Sequence, residues 1–401
     1  MIARHDAIVR LRAANWVREQ DTQEIFKALG GLSDRTRAVG GIVRDTIIGK
    51  PDMRADLDLA TELKPGEVMA RAQAEGMSCY PTGIKHGTVT VRNGQTTVEV
   101  TTLREDVETD GRHAQVKFGL NWKADARRRD FTINALYASM TGAFHDPLAG
   151  LEDLLAHRVR FIGNPEGRIE EDRLRVYRFF RFTAGYGNEI FDEDGLVACQ
   201  RAAGSLGSLS GERVGAEMMK ILALPRVAAT LAVMSKSDIV DIDAAVLEML
   251  ARYEDLTVST VAVGRLAILI AMGGSEAIQQ AWRLSNASIA EAREVRQAAA
   301  LLDAGEYSQA AYRYGRLGPV ALQVAAAVGQ WPKEKLRVAV EKFHAIDVPP
   351  FPINGEDLKE AGFLPGPALG KALRAIEAEW IKSEFSLDRV ALLERLEKYF
   401  E

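Results

Sequence analysis

The stretch RAVGGIVRDTIIG, residues 37–49, decides how the first half of the chain is read. A short apolar run ends in two glycines and passes into IVRDTIIG, whose spacing predicts a helix, so the segment is a strand-to-helix turn. Gly40 and Gly41 at such a turn expose backbone N–H groups at the positive end of a helix, a cradle for phosphate, with Arg44 one turn along. The same glycines also suit a plain tight turn, and Asp45 a local cap or pair.

Outward from this turn, DLDLAT (56–61) predicts the next strand and KPGEVMARAQAEG (64–76) the next helix, with Pro65 in its first turn. GTVTVRNGQTTVEVTT (87–102) predicts a β-hairpin, because Asn93-Gly94 separates two alternating runs of β-formers. REDVETDGRHAQVKFGLN (104–121) reads as a long polar loop. Near residue 150 this alternating text gives way to helical periodicity: 166–186, 208–222 and Ala-rich segments from 226 to 345. IDVPPFPINGEDL (346–358) is a proline-rich break before a small helical tail. The expected architecture is an α/β head on an α-helical body.

Several classes are excluded by composition. With 401 residues, 47% hydrophobic and 27% charged, the chain is an ordinary globular protein with an ample core. The N-terminal MIARHDAIVRLRAANW lacks the uninterrupted apolar core of a signal peptide, and VAVGRLAILIAMGG (261–274) is broken by Arg265, so no membrane span is expected. Cys79 and Cys199 lack metal-ligand spacing and read as free thiols in a reducing cytoplasm. A net charge of −5 restricts any nucleic-acid binding to local patches, such as Arg127 to Arg129 and the arginines from Arg168 to Arg181.

Two motifs carry chemistry. Asp56 and Asp58 alternate on their strand, which points both carboxylates to one face about 7 Å apart and suits a shared Mg²⁺ completed by phosphates and water. Glu99, opposite in direction to Val98 and Val100, is a candidate third carboxylate or an exposed cross-strand residue. The run DRLRVYRFFR (172–181) spaces Asp172, Arg175, Arg178 and Arg181 three apart, a ridge on one expected helix. A carboxylate beside a guanidinium matches the amine-plus-ring-nitrogen edge shared by cytosine and adenine, whereas guanine and uracil invert that polarity. A salt-bridged amphipathic helix meets the same spacing. RRRDFTINAL (127–136) adds Arg129, which can reach phosphates, Asp130, which can accept from ribose hydroxyls, and Asn134, the last two expected at i,i+4 on a helix; a capped, salt-bridged helix start fits the same residues.

GGIVRD, DLD followed by LAT, RRRDFTINAL, DPLAG, EDRLRVYRFFRF and GERVGAEMMKIL run in order over residues 39–222. Together they closely resemble the class II tRNA nucleotidyltransferase and poly(A) polymerase family of the polymerase β-like superfamily. The resemblance implies an α/β nucleotidyltransferase head with a mixed, largely antiparallel sheet (1–155), followed by an all-α neck that reads the nucleobase (156–225), a body (226–345) and a tail (346–401). It implies Asp56 and Asp58 as catalytic, Mg²⁺-holding carboxylates. Gly40, Gly41, Arg44, Arg129, Asp130, Asn134, Asp172, Arg175, Arg178 and Arg181 become the nucleotide-binding set, with Asp172 and Arg175 reading the base. Arg104-Glu105-Asp106 resembles the flexible-loop element that helps CCA-adding enzymes switch from C to A, which places Arg104 and Asp106 in that loop. PINGEDLKEAGFLPGPALGKAL (352–373) looks like a bacterial CCA-adding tail that grips tRNA. The implied activity is template-independent addition of C, C and A to tRNA from CTP and ATP, in the cytoplasm, with no obligatory protein partner. A CC-adding or A-adding enzyme, a poly(A) polymerase and a non-catalytic tRNA-binding module are the alternatives.

Overall fold

The structure is a computed structural model and describes residues 4–50, 57–105, 117–256, 261–273 and 275–399. The chain divides into two compact units, Met1–Ser208 and Leu209–Glu401. That division falls inside the span expected as the neck, so the first neck helices belong with the head.

The first unit opens with α1 (Arg4–Ala13), α2 (Asn15–Arg18) and α3 (Gln20–Ala28). Then come β1 (Thr36–Val39), α4 (Gly41–Ile48), β2 (Leu57–Thr61), α5 (Pro65–Ala74), β3 (Ser78–Gly83), β4 (Thr88–Asn93) and β5 (Thr96–Thr102). The expected strand-turn-helix, DLDLAT strand, Pro65 helix and hairpin all form, although Asp56 lies outside the described residues. A seven-stranded sheet has the order β3-β4-β5-β2-β1, continued by β8 (Tyr137–Ala138) and β9 (Phe144–His145). Its neighbours are antiparallel except for the parallel pair β2 and β5, as expected of a mixed, largely antiparallel sheet. The hairpin register pairs Asn93 with Thr96, so Gly94 and Gln95 form the loop, tied to α3 where Asp21 accepts from the Gln95 N–H.

The segment read as a long polar loop contains a second, two-stranded sheet of β6 (Arg104–Glu105) and β7 (Lys117–Phe118). Asp106 lies outside the described residues. After α6 (Trp122–Arg128), the chain does not continue as the helix expected over RRRDFTINAL. It turns at Arg129 into extended backbone, and Thr132–Asn134 forms a single 3₁₀ turn. Pairing with the chain around residue 161 competes with helix: Thr132 donates to the Arg160 carbonyl, Ile162 donates to the Asp130 carbonyl, and Phe131 bridges Phe161.

The expected helix over 166–186 is also interrupted. Following α7 (Gly150–Leu155), the chain forms α8 (Pro165–Glu171), then an extended residue at Asp172, then α9 (Arg175–Tyr186) and α10 (Glu193–Ala202). Asp172 therefore precedes the arginine-bearing helix rather than riding on it. Its carboxylate accepts from the Leu174 N–H at 3.1 Å, a local bond that offers the backbone an alternative to helix. The back of α9 is apolar and packs onto the turn it must face: Phe179 stacks on Phe161 at 5.3 Å and Phe182 meets Phe131 at 5.3 Å. This aromatic contact is why α8 to α10 form one compact unit with the sheet.

The second unit is helical throughout its described residues, from Gly211–Leu222 to Arg389–Arg395. Within it, fully buried Arg265 donates to the carbonyls of Leu222, Leu224 and Pro225 and to Glu254, which in turn accepts from the Val227 and Ala228 N–H groups. The buried guanidinium thus clamps a helix-to-helix turn, with its charge paired inside. The proline-rich break ends at a capping box between Asn354 and Asp357 that starts the helix Gly355–Glu360.

Gly150 opens α7 against the Thr132 carbonyl, where an added Cβ would sit 2.1 Å from the oxygen. Gly150→Ala is expected to lower stability by about 1–3 kcal/mol through overpacking, read as a lower urea midpoint with an unchanged m-value.

Candidate active site

Gly40 leads out of β1 with φ 74° and ψ −121°, a conformation open to glycine, and its N–H donates to the Leu136 carbonyl. This bend aims the start of α4 into a cavity of about 560 Å³. Gly40, Gly41, Arg44, Asp58, Glu99, Arg104, Arg129, Asp130, Asn134, Asp172, Arg175, Arg178 and Arg181 all line it. Every expected site residue within the described portion is therefore in one place. Asp56 and Asp106 are the two that lie outside it.

The sheet supplies the carboxylates. Asp58 on β2 lies in register with Glu99 on β5, on parallel neighbours about 4.8 Å apart. Both are exposed toward the cavity while Leu57, Leu59, Val98 and Val100 are buried, so alternation turns core one way and acid the other. Glu99 is both exposed and in register with Asp58, a placement that meets each of the two readings open for it. Two hard oxygen donors facing a wet, arginine-rich cavity fit a divalent cation that keeps water and phosphate in its shell. Among the described residues no group of three or more His, Cys, Asp or Glu is arranged to hold a metal.

The cations are held by a connected set of bonds. Arg44, only 6% exposed, donates to Asn134 Oδ1, to Asp45 Oδ1 at 3.0 Å and to the Tyr186 hydroxyl at 2.7 Å. Asn134 donates to Asp130 Oδ1 at 3.0 Å, and Arg178 donates to Asp130 Oδ2 at 2.7 Å. The expected Asp130 and Asn134 contact thus survives on a 3₁₀ turn. Burial acts to raise the Asp130 pKa, but the charge of Arg178 and hydrogen bonds from Asn134, Arg178 and the Phe131 N–H outweigh it and hold the carboxyl below its ordinary value.

A second acceptor organises the other side. Asp125, buried on α6, accepts from Arg129 at 3.2 Å and from the Tyr137 hydroxyl at 3.0 Å, and lies 3.7 Å from Arg128. Arg129 in turn donates to the Tyr137 oxygen at 3.2 Å. Arg168 donates to the Arg128 and Arg129 carbonyls, and Glu171 accepts from both Arg168 and Arg175. Arg44, Arg178 and Arg181 all approach the Phe182 ring, with Cζ 5.1, 5.3 and 4.2 Å from its centre. Asp125, Glu171, Tyr137, Phe182 and Tyr186 were absent from the sequence-derived set. The i,i+4 spacing of Asp125 to Arg129 and of Glu171 to Arg175 was a usable signal; nothing local pointed to Tyr137 or Tyr186.

A family model described as "Poly A polymerase head domain" matches residues 36–160, and one described as "tRNA nucleotidyltransferase domain 2 putative" matches residues 256–396. The CCA tRNA nucleotidyltransferase 1, mitochondrial, of Homo sapiens is 30% identical over 383 residues, covering 90% of this chain and 86% of that one. The chain belongs to the CCA tRNA nucleotidyltransferase family. The Danio rerio member is 43% identical over 190 residues, a match that spans 46% of this chain and only 43% of that one. The crystal structure of the Bacillus stearothermophilus CCA-adding enzyme in complex with CTP superposes with a TM-score of 0.78 at 27% identity, covering 94% of this chain and 96% of that one. Among the described residues of this family member, no helix is long and apolar enough to cross a membrane.

Because the Asp130 carboxyl is depressed by folding, its contribution is complete above the unfolded carboxylate pKa of about 4 and is lost as pH falls through the folded value. Asp130→Asn is expected to cost about 1.5–3 kcal/mol at pH 7. It should also flatten the acid limb of stability below pH of about 4, measured by urea midpoints across the acid range.

Proposed function

We propose that this chain adds C, C and A to the 3′ end of tRNA from CTP and ATP, without a nucleic-acid template. The observation that carries the reading is the cavity itself. It joins a glycine-bent helix start, the arginines 44, 104, 129, 175, 178 and 181, and the in-register carboxylates Asp58 and Glu99. Membership of the family supports the same activity.

In the proposed reaction the terminal tRNA hydroxyl oxygen forms a bond to the α-phosphorus, the bond from that phosphorus to the bridging oxygen breaks, pyrophosphate leaves, and the hydroxyl proton passes to solvent. No covalent enzyme intermediate is required. Gly40 and Gly41 receive the triphosphate at the start of α4, with Arg44 and Arg129 beside it. Arg104 lines the cavity with a buried Nε that has no hydrogen-bond partner among the described residues, a donor suited to an anion. Asp130 takes the ribose hydroxyls, and Asn134 fixes its orientation. Asp56 and Asp58 are assigned as the catalytic, metal-holding carboxylates, with Glu99 opposite Asp58. Mg²⁺ is the assigned ion, and when bound it supplies charge neutralisation for the developing pyrophosphate.

Asp172 offers an acceptor and Arg175 a donor to the base edge, and Arg178 and Arg181 extend that surface. A site built to make these bonds can reject a mismatched edge by up to about 10⁴-fold, because its own polar groups are then left unpaired. By the resemblance of Arg104-Glu105-Asp106, Arg104 and Asp106 are assigned to the element that changes the preference from C to A, which supports complete over partial addition. The tail, 346–401, is assigned to tRNA, and the cytoplasm is the assigned compartment.

Incubation with Mg²⁺, CTP, ATP and tRNAs ending before CCA, after C or after CC should yield ends that stop at CCA when sequenced. A product limited to CC, limited to A, or extended into an A tract would instead select a narrower relative. Asp58→Ala is expected to slow extension by about 10²-fold or more while tRNA affinity holds, since several kcal/mol of charge stabilisation are removed. Undiminished extension would remove Asp58 from the mechanism.

A further inference from the structure

Tyr186 is the last residue of α9, eight residues beyond Arg178 and so about 12 Å along the helix. Its hydroxyl donates to Asp45 Oδ1 at 2.8 Å and accepts from Arg44 Nη2 at 2.7 Å, while Arg44 Nε donates to the same Asp45 oxygen at 3.0 Å. The three side chains close a ring of bonds in which each group has the right polarity. The Tyr186 ring also lies 3.9 Å from the Arg44 Cζ and 3.8 Å from the Lys50 ammonium, and Lys50 donates to the Gly185 carbonyl. The far end of α9 is thereby fastened to α4 and the turn after it.

Arg44 meets α9 twice. Directly it reaches Tyr186, and through Asn134 and Asp130 it reaches Arg178, two turns earlier on the same helix. Bonds at two points of the helix, one direct and one through Asn134 and Asp130, converge on one guanidinium and restrain rocking about either point. We infer that Tyr186 is a positioning residue for nucleotide selection: by clasping Arg44 and Asp45, it sets the distance between the triphosphate cradle at the start of α4 and the base-reading end of α9. This rests on the proposed function, because it assigns those two ends to the triphosphate and the base of one incoming nucleotide. Tyr186 need touch neither, since it acts through the placement of Arg44.

The spacing matters because selection here depends on two fixed grips. A nucleotide held by its phosphates presents its base edge to Asp172 and Arg175 at one place only if α9 cannot move relative to α4. If the far end of α9 is loosened, the ridge can shift to meet a wrong edge, and the penalty for an unpaired donor or acceptor falls.

The test uses the full chain and first measures extension of tRNA by wild type; failure there would overturn the proposed function before any variant is considered. Tyr186→Phe keeps the ring over Arg44 and removes only the hydroxyl, and Asp45→Asn alters the other member of the clasp. Incorporation of UTP and GTP relative to CTP and ATP is then compared, with KM and kcat determined separately. Both variants are expected to stay folded, to raise KM for CTP and ATP, and to lose about tenfold or more of the discrimination against UTP and GTP, the scale of one charge-assisted hydrogen bond. A lower melting temperature with unchanged discrimination in both would show a merely structural contact and overturn the inference. If only Tyr186→Phe failed to fold, Asp45→Asn would decide by the same ratio.

Discussion

The buried guanidinium of Arg44 is the constraint on which the first unit turns. A charge that is 6% exposed must find partners, and three different elements supply them: Asp45 from its own helix, Asn134 from the 3₁₀ turn, and Tyr186 from the end of α9. Asn134 then passes the connection to Asp130, and Asp130 to Arg178. One chain of hydrogen bonds therefore orders the residues assigned to phosphate, ribose and base. Such a network is costly when partly broken, because each remaining member is left buried and underpaired.

Around this network the sheet and the aromatic cluster act as fixed walls. The parallel pairing of β2 with β5 brings Asp58 beside Glu99, and strand alternation sends their apolar neighbours to the opposite face. Phe131, Phe161, Phe179 and Phe182 press α9 onto the turn that carries Asp130. Apolar packing thus sets where the cations stand, and the carboxylates set which way they point. Asp125 does the same for Arg129, with the Tyr137 hydroxyl completing the triangle.

The arrangement gathers cations locally in a chain with a net charge of −5. Among the described residues seven arginines line one cavity, and acids hold several of them: Asp45 holds Arg44, Asp125 holds Arg129 and Asp130 holds Arg178. Cations gathered in one cleft focus positive potential there.

Much of this was legible in the sequence because it is local. Gly40-Gly41 after an apolar strand dictated the turn, alternation around Asn93-Gly94 dictated the hairpin, and alternation with apolar neighbours dictated that Asp58 and Glu99 leave their strands away from the core. The ordered motifs also named the residues that meet in the cavity. Two local readings failed where distant partners competed for the backbone. RRRDFTINAL is not a helix, because Thr132 and Ile162 exchange hydrogen bonds across to Arg160 and Asp130; the 166–186 helix breaks where the Asp172 carboxylate takes the Leu174 N–H. The Tyr186 clasp was hidden for the same reason, since its partners are 141 and 142 residues away. Sequence by itself determined the glycine turn and the strand faces that carry Asp58 and Glu99, because strand and turn geometry act over a few residues. Tertiary structure alone decided which acid holds which arginine, because a buried charge is paired by whatever the fold brings within hydrogen-bond reach.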